Sequence, residues 1–155
     1  MENDPVNHPK HYSSPFETVP NECIDITQYL TFCLGNVVKY LWREGSKATE
    51  DNGYQDFKKA IWYFKRHCSL PMPFHFTGHE PTAQAVFSTK FKEPDAEKNY
   101  ELFMRWRLID FAFGESFWKE KNGEPWQYLM MEGFNKLHAH MVEKGKWPEE
   151  TLFDE

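Results

Sequence analysis

Gly35-Asn36-Val37-Val38-Lys39-Tyr40-Leu41-Trp42-Arg43-Glu44-Gly45-Ser46-Lys47, followed nine residues later by Asp56-Phe57-Lys58-Lys59-Ala60-Ile61-Trp62-Tyr63, decides the fold. At a helical advance of about 100° per residue, Asn36, Lys39, Tyr40, Arg43 and Lys47 fall in one sector, while Leu30, Leu34, Val37, Val38 and Leu41 take the opposite one. The second segment repeats the scheme, with Asp56, Lys59, Tyr63 and His67 on one stripe and Phe57, Ile61 and Phe64 turned away from it. Each helix therefore has hydrocarbon to bury on one side. On the other they present amide, ammonium, guanidinium and phenol groups together, a set that suits a phosphorylated ligand.

Outward from this pair, residues 1 to about 22 are rich in Pro, His, Asn and Ser and predict an ordered loop or extended arm. The first helical pattern runs from about Asp25 to Glu44, where Gly45 is a natural C-terminal stop. After a polar connection from Ser46 to Gly53, the second helix continues to about His67. So short a connection makes the two an antiparallel hairpin. From Ser69 through Pro94, prolines, glycine and alternating aromatics predict a loop, with Val86–Phe91 as a stretch that a short strand would suit if it had a partner. The helical period returns at Asp95. Leu102, Phe103, Trp106, Ile109, Phe113 and Phe117 form an apolar face ending near Asn122-Gly123, and Pro125 opens a fourth helix that buries Trp126, Leu129, Met130, Phe134, Leu137 and Met141 and stops near Gly145. The expected fold is mainly α: two helical hairpins packed together, with an extended N-terminal arm and a Pro/aromatic-rich central loop. Residues 1–70 would form the ligand-binding arm and hairpin, 71–95 a connecting segment, and 96–155 a C-terminal hairpin packed on the first.

The chain's 155 residues, 40% of them hydrophobic and 17% aromatic, supply a core for one domain. A net charge of −6 argues against a general nucleic-acid coat, which needs a basic field, but leaves room for a local cationic cluster. Cys23, Cys33 and Cys68 form no CxxC pair and no disulfide framework, which fits a reducing cytoplasm. No apolar stretch approaches membrane-spanning length, so no membrane partner is expected.

No GxxxxGK(S/T) phosphate loop is present, and no GxGxxG follows a strand. Gly45-Ser46-Lys47 follows a helix instead of preceding one, so the dipole has the wrong sign for an anion and only Lys47 remains as a cation. His8-Pro9-Lys10-His11-Tyr12 is a second cluster. Its two imidazoles lack the further ligands a zinc site needs, so no metal site is assigned; a ligand-contacting arm is the stronger reading. Each candidate has a plainer alternative. Lys39 and Arg43 would sit favourably near any helix C-terminus, and Asp56 in the first turn would complement its own helix dipole. The spacing of Trp106, Phe113 and Phe134 reads as core, and Glu115 with Glu120, or Glu149 with Glu150, as solvated carboxylates.

The ordered set Val6-Asn7-His8-Pro9-Lys10-His11-Tyr12, Glu22-Cys23-Ile24-Asp25, Gly35 to Tyr40 with Arg43 and Lys47, and Asp56 to Tyr63 resembles a small phage-encoded family, DUF3310, over roughly residues 5 to 67. That family includes the nucleotide kinase of T7-like bacteriophages. The resemblance implies a nucleoside monophosphate kinase without a Walker loop, active on deoxynucleotides such as dTMP and dGMP, in the cytoplasm of an infected bacterial host. This chain departs from the T7-like protein in lacking a long cysteine-bearing N-terminal extension and in carrying an aromatic-rich segment after His67.

The expected reaction moves a phosphoryl group from ATP or another nucleoside triphosphate to a deoxynucleoside monophosphate, chiefly by positioning and charge neutralisation. Lys39 and Arg43 are the expected catalytic cations. His8, Lys10, His11, Tyr12, Asn36, Tyr40, Lys47, Asp56, Lys59 and Tyr63 are the expected substrate-binding residues. Mg²⁺ accompanies nucleotide chemistry in general, though the sequence displays no carboxylate site for it. A homo-oligomer is expected, because a small helical hairpin this rich in aromatics leaves apolar surface for a symmetric partner. Two other readings use the same residues: a non-catalytic protein that sequesters nucleotides, for instance to blunt a bacterial defence, and an acidic protein that inhibits a host partner through exposed aromatics.

Overall fold

The computed structural model describes residues 22–43, 50–115 and 125–154. Among them are six α-helices and no strand: α1 (Ile24–Thr27), α2 (Phe32–Arg43), α3 (Tyr54–Ser69), α4 (Glu80–Lys90), α5 (Tyr100–Ala112) and α6 (Trp126–Glu143). The N-terminal arm, the Gly45 stop, Phe117, Glu120 and Asn122-Gly123 lie outside the described residues.

The two amphipathic patterns form the expected hairpin. Phe32 at the start of α2 meets Tyr63 late in α3, while Arg43 at the end of α2 meets Asp56 in the first turn of α3, so the helices run antiparallel. Val37, Val38, Leu41, Trp42, Phe57 and Ala60 are wholly buried, and each large apolar side chain among them contributes about 1.5–3 kcal/mol of transfer free energy. Turn chemistry sets the start of α3. Asn52 and Gly53 both adopt positive φ, 55° and 80°, and Asp51 accepts hydrogen bonds from the Gly53 and Gln55 N–H groups, satisfying donors that the helix leaves open.

The second hairpin is α5 with α6. Tyr100 packs on His140 with ring centroids 4.7 Å apart, and at the other end the Trp126 indole donates to the Phe111 carbonyl. At Gly133 a Cβ would lie 2.7 Å from Leu108 Cδ2, so the absence of a side chain lets the helices close. Asn99 caps α5 by accepting the Leu102 N–H at 3.0 Å.

Arg105 of α5 locks the hairpins together. Its side chain is 2% exposed, and its Nε and Nη2 donate to the Leu41 and Trp42 carbonyls at 2.9 and 2.8 Å. Those carbonyls sit in the last turn of α2, the negative end of its dipole, where a cation is stabilised.

Three expectations need correction. The helix predicted from about Asp25 to Glu44 is broken after Thr27, because Thr31 caps a new start by accepting the Leu34 N–H. The segment Val86–Phe91 is neither loop nor strand but the C-terminal end of α4 and its cap. The start of α4 is built by Glu80, which accepts from the Thr77 and Gly78 N–H groups at 2.8 and 3.0 Å; Ala83 and Phe87, one turn apart, are its buried apolar residues. On α5 the buried set is Met104, Arg105, Leu108, Ile109 and Ala112, whereas Leu102, Phe103 and Trp106 are half-buried. Beyond Gly145 the chain does not leave the core. Trp147 packs on Phe57 at 4.5 Å and donates to the Asn52 carbonyl, and Leu152 is also buried.

Removing the guanidinium from between the hairpins takes the Arg105 donors away from two carbonyls in the last turn of α2. Arg105→Met is expected to lower the unfolding free energy by about 2–4 kcal/mol, with Arg105→Lys recovering part of it, measured by urea denaturation. An unchanged midpoint for Arg105→Met contradicts this role.

Candidate functional site

The polar stripes of α2 and α3 meet on one side of the first hairpin, around the ring of Tyr40. Tyr40 stacks on Tyr63 across the helix pair, with centroids 5.9 Å apart and planes 14° from parallel. Three cations surround the same ring: Lys39 Nζ at 4.8 Å from its centroid, Lys59 Nζ at 5.5 Å and Arg43 Cζ at 5.8 Å. Arg43 Nε forms an ion pair with Asp56 Oδ2 at 3.3 Å, joining the end of α2 to the start of α3. Side-chain exposures of 13% and 7% make this pair nearly buried, whereas Lys59 is exposed.

Beside the cluster, α1 and α2 enclose a groove of about 580 Å³. Cys23, Thr27, Phe32, Gly35, Asn36 and Lys39 are among its walls, so Lys39 belongs to both the groove and the cationic cluster. The volume falls in the range of small-molecule sites. Burial pushes the Cys23 thiol up to about 12 against a weaker opposing pull from Lys39, which leaves the groove without a thiolate nucleophile at Cys23.

Of the residues singled out from sequence, Lys39, Tyr40, Arg43, Asp56, Lys59 and Tyr63 come together. Asn36 stands one turn away on the groove wall, and its Nδ2 donates to the Phe32 carbonyl at 2.8 Å, so one side of the amide is committed to its own helix. His8, Lys10, His11, Tyr12 and Lys47 lie outside the described residues. His67 does not belong to the cluster. It is wholly buried, with Nε2 3.1 Å from Glu115 Oε2. Glu115, expected to be solvated, is only 6% exposed and also meets His75 Nδ1, at 2.8 Å from Oε1. Burial raises the Glu115 carboxyl pKa, but the contacts with the two imidazoles outweigh it and hold the carboxyl below its usual value.

Phe32 and Trp62 were not among the candidates. Both are strongly exposed, at 77% and 60%, and both pack edge-on against Tyr63, at 6.0 and 5.0 Å. The spacing of Phe32, Asn36, Tyr40 and Arg43 places Phe32 on the polar stripe of α2, a signal that its apolar character obscures.

No helix among the described residues is long and apolar enough to cross a membrane. No curated protein and no solved structure matches the chain. Residues 6–65, the span that holds α1, α2, most of α3 and every member of the Tyr40 cluster, match the family described as protein of unknown function (DUF3310).

Proposed function

We propose that the cleft bordered by Asn36, Lys39, Tyr40, Arg43, Lys59 and Tyr63 binds nucleotides, and that the protein transfers a phosphoryl group from ATP or another nucleoside triphosphate to a deoxynucleoside monophosphate such as dTMP or dGMP. The observation that carries this reading is the convergence of three cationic side chains on the Tyr40 ring, one of which also lines the adjoining groove. A base and sugar would occupy the groove, with Phe32 as an apolar wall, while the phosphates reach the cations. In the transfer, a phosphate oxygen of the acceptor attacks the γ-phosphorus and the nucleoside diphosphate leaves. Lys39 and Arg43 neutralise the charge on the transferred group, and Lys59 supports them. Asp56 fixes Arg43, and Asn36 and Tyr40 orient the substrate. His8, Lys10, His11, Tyr12 and Lys47 complete the ligand shell.

One observation favours binding without turnover as the second reading. Asp56, the carboxylate on the paired stripes, is 5% exposed and engaged by Arg43, so it suits neither proton transfer nor Mg²⁺. No step is therefore routed through Mg²⁺.

Incubation with ATP and a panel of deoxynucleoside monophosphates is expected to yield ADP and the matching diphosphate in equal amounts. Stoichiometric nucleotide binding with no product selects sequestration, and absence of both binding and product overturns the site.

Substitutions separate the cations. Lys39→Ala, at a partly exposed position, is expected to weaken nucleotide affinity about tenfold or more with the unfolding midpoint nearly unchanged. Arg43→Ala is expected to lower turnover about 10²-fold and also to cost about 2–4 kcal/mol of stability, because Asp56 is left nearly buried without its partner. Arg43→Lys keeps the charge but not the planar fork and recovers only part of the turnover. Folded Lys39→Ala and Arg43→Ala proteins with unchanged affinity and turnover return the stripe to a solvated helix face.

A further inference from the structure

Three ionisable side chains converge away from the Tyr40 cluster. His67 comes from the last turn of α3, His75 follows the short 3-10 turn Met72–Phe74, and Glu115 lies just beyond α5. One ligand-capable atom from each lies within 4.8 Å of the other two, and the residues are 0%, 5% and 6% exposed. The two imidazole rings are 4.2 Å apart by centroid. Neither the Tyr40 cluster nor the adjoining groove includes them, and all three lie outside residues 6–65.

Hydrogen-bond accounting at His75 is the informative part. Its Nε2 lies 2.8 Å from the Leu70 carbonyl, which only accepts, so Nε2 carries the proton and donates. In the neutral ring, Nδ1 then presents a lone pair to Glu115 Oε1, an acceptor 2.8 Å away. Two lone pairs at that distance require a proton or a positive ion between them. His67 Nε2 faces the other oxygen of the same carboxylate, and its buried Nδ1 has no hydrogen-bond partner among the described residues. An imidazolium at His75 would supply the positive centre, but with a second imidazole against it in a buried site. A divalent ion supplies it with both rings neutral and the carboxylate charged.

We propose that His67 Nε2, His75 Nδ1 and the Glu115 carboxylate bind one divalent transition-metal ion of the zinc class. Two imidazole nitrogens and one carboxylate oxygen are a donor set for Zn²⁺, with water in the fourth tetrahedral position. Zinc–ligand bonds of about 2.0–2.2 Å place tetrahedral donors roughly 3.3–3.6 Å apart; the two imidazole nitrogens lie 3.1 and 2.8 Å from different oxygens of the one carboxylate, and the three ligand atoms lie within 4.8 Å of one another, so small side-chain adjustments bring them onto one ion. The His75–Leu70 hydrogen bond is the outer contact that fixes the tautomer and orientation of a metal-bound imidazole. Such an ion would tie the end of α3, the segment after it and the end of α5 to one point. Its role would be structural, and it stands or falls independently of the nucleotide reading.

The test uses the full-length protein, stripped with chelator, dialysed and titrated with Zn²⁺, and in parallel with Co²⁺. The expected result is one equivalent bound, d–d absorption of tetrahedral Co²⁺, and an unfolding temperature that rises with metal. His75→Ala and Glu115→Gln are expected to reduce affinity by about 10²-fold or more, while His8→Ala and His11→Ala leave it unchanged. If Glu115→Gln fails to fold, Glu115→Asp and the metal-dependent unfolding of the unaltered protein carry the test. No stoichiometric uptake by the unaltered protein overturns the proposal, and so does full uptake by folded His75→Ala and Glu115 variants.

Discussion

The buried guanidinium of Arg105 is the contact on which the arrangement depends. Placing a cation at 2% exposure is costly unless its donors are met, and here two are met by the last-turn carbonyls of α2. The bond fixes where α2 ends relative to α5. Because Arg43 is the next residue after Trp42, the same contact sets the height at which Arg43 reaches Asp56, and with it the register of α3 against α2. The Tyr40–Tyr63 stack follows from that register, since an axial slip of one residue is about 1.5 Å and turns each side chain by about 100°. A residue with no place in the stripe thus governs its geometry.

Three cations around one tyrosine add little to stability. Each cation–π contact at an exposed site contributes about 0.5–1 kcal/mol, while two unit charges roughly 8 Å apart in water repel by about 0.5 kcal/mol, and ordering long side chains costs rotamer freedom. Asp56 offsets one positive charge, and the remaining balance is close to zero. Folding alone gives weak reason for the arrangement. A phosphate group changes that balance, because each cation then gains a charge-assisted partner without further ordering. The apolar groove next to Lys39 would supply the complementary half of the proposed nucleotide site.

The first hairpin was legible because its apolar and polar residues separate cleanly at the helical period: Leu34, Val37, Val38 and Leu41 are all buried, and the polar stripes of α2 and α3 meet. Where local signals compete, periodicity misleads. Thr31 stops and restarts a helix that the apolar spacing alone would carry through. In α4, Pro81 and exposed polar residues mask a helix whose apolar burial rests on Ala83 and Phe87. Arg105, His67 and Glu115 were misread or passed over for another reason: each is a charged or ionisable side chain buried by partners 40 or more residues away in sequence. No window of local sequence displays such a partner, and burial of these residue types is rare enough that exposure is the natural default.

His67 and the Tyr40 cluster share a helix and an angular sector of it, yet meet different neighbours along its length. Asp56, Lys59 and Tyr63 lie toward α2, whereas His67, one turn beyond Tyr63, turns inward to Glu115. The C-terminal end of α3 is thereby held to the segment just beyond α5 through Glu115, and the C-terminal end of α2 is held by α5 through Arg105. Both helices of the first hairpin are thus anchored to the second at ends that lie on opposite sides of the stripe. An anchor at only one end would let α2 and α3 slide or splay under the mutual repulsion of Lys39, Lys59 and Arg43. With both ends held, the cluster keeps its geometry, and in the proposed nucleotide reading the energy of binding would not be spent on assembling the site.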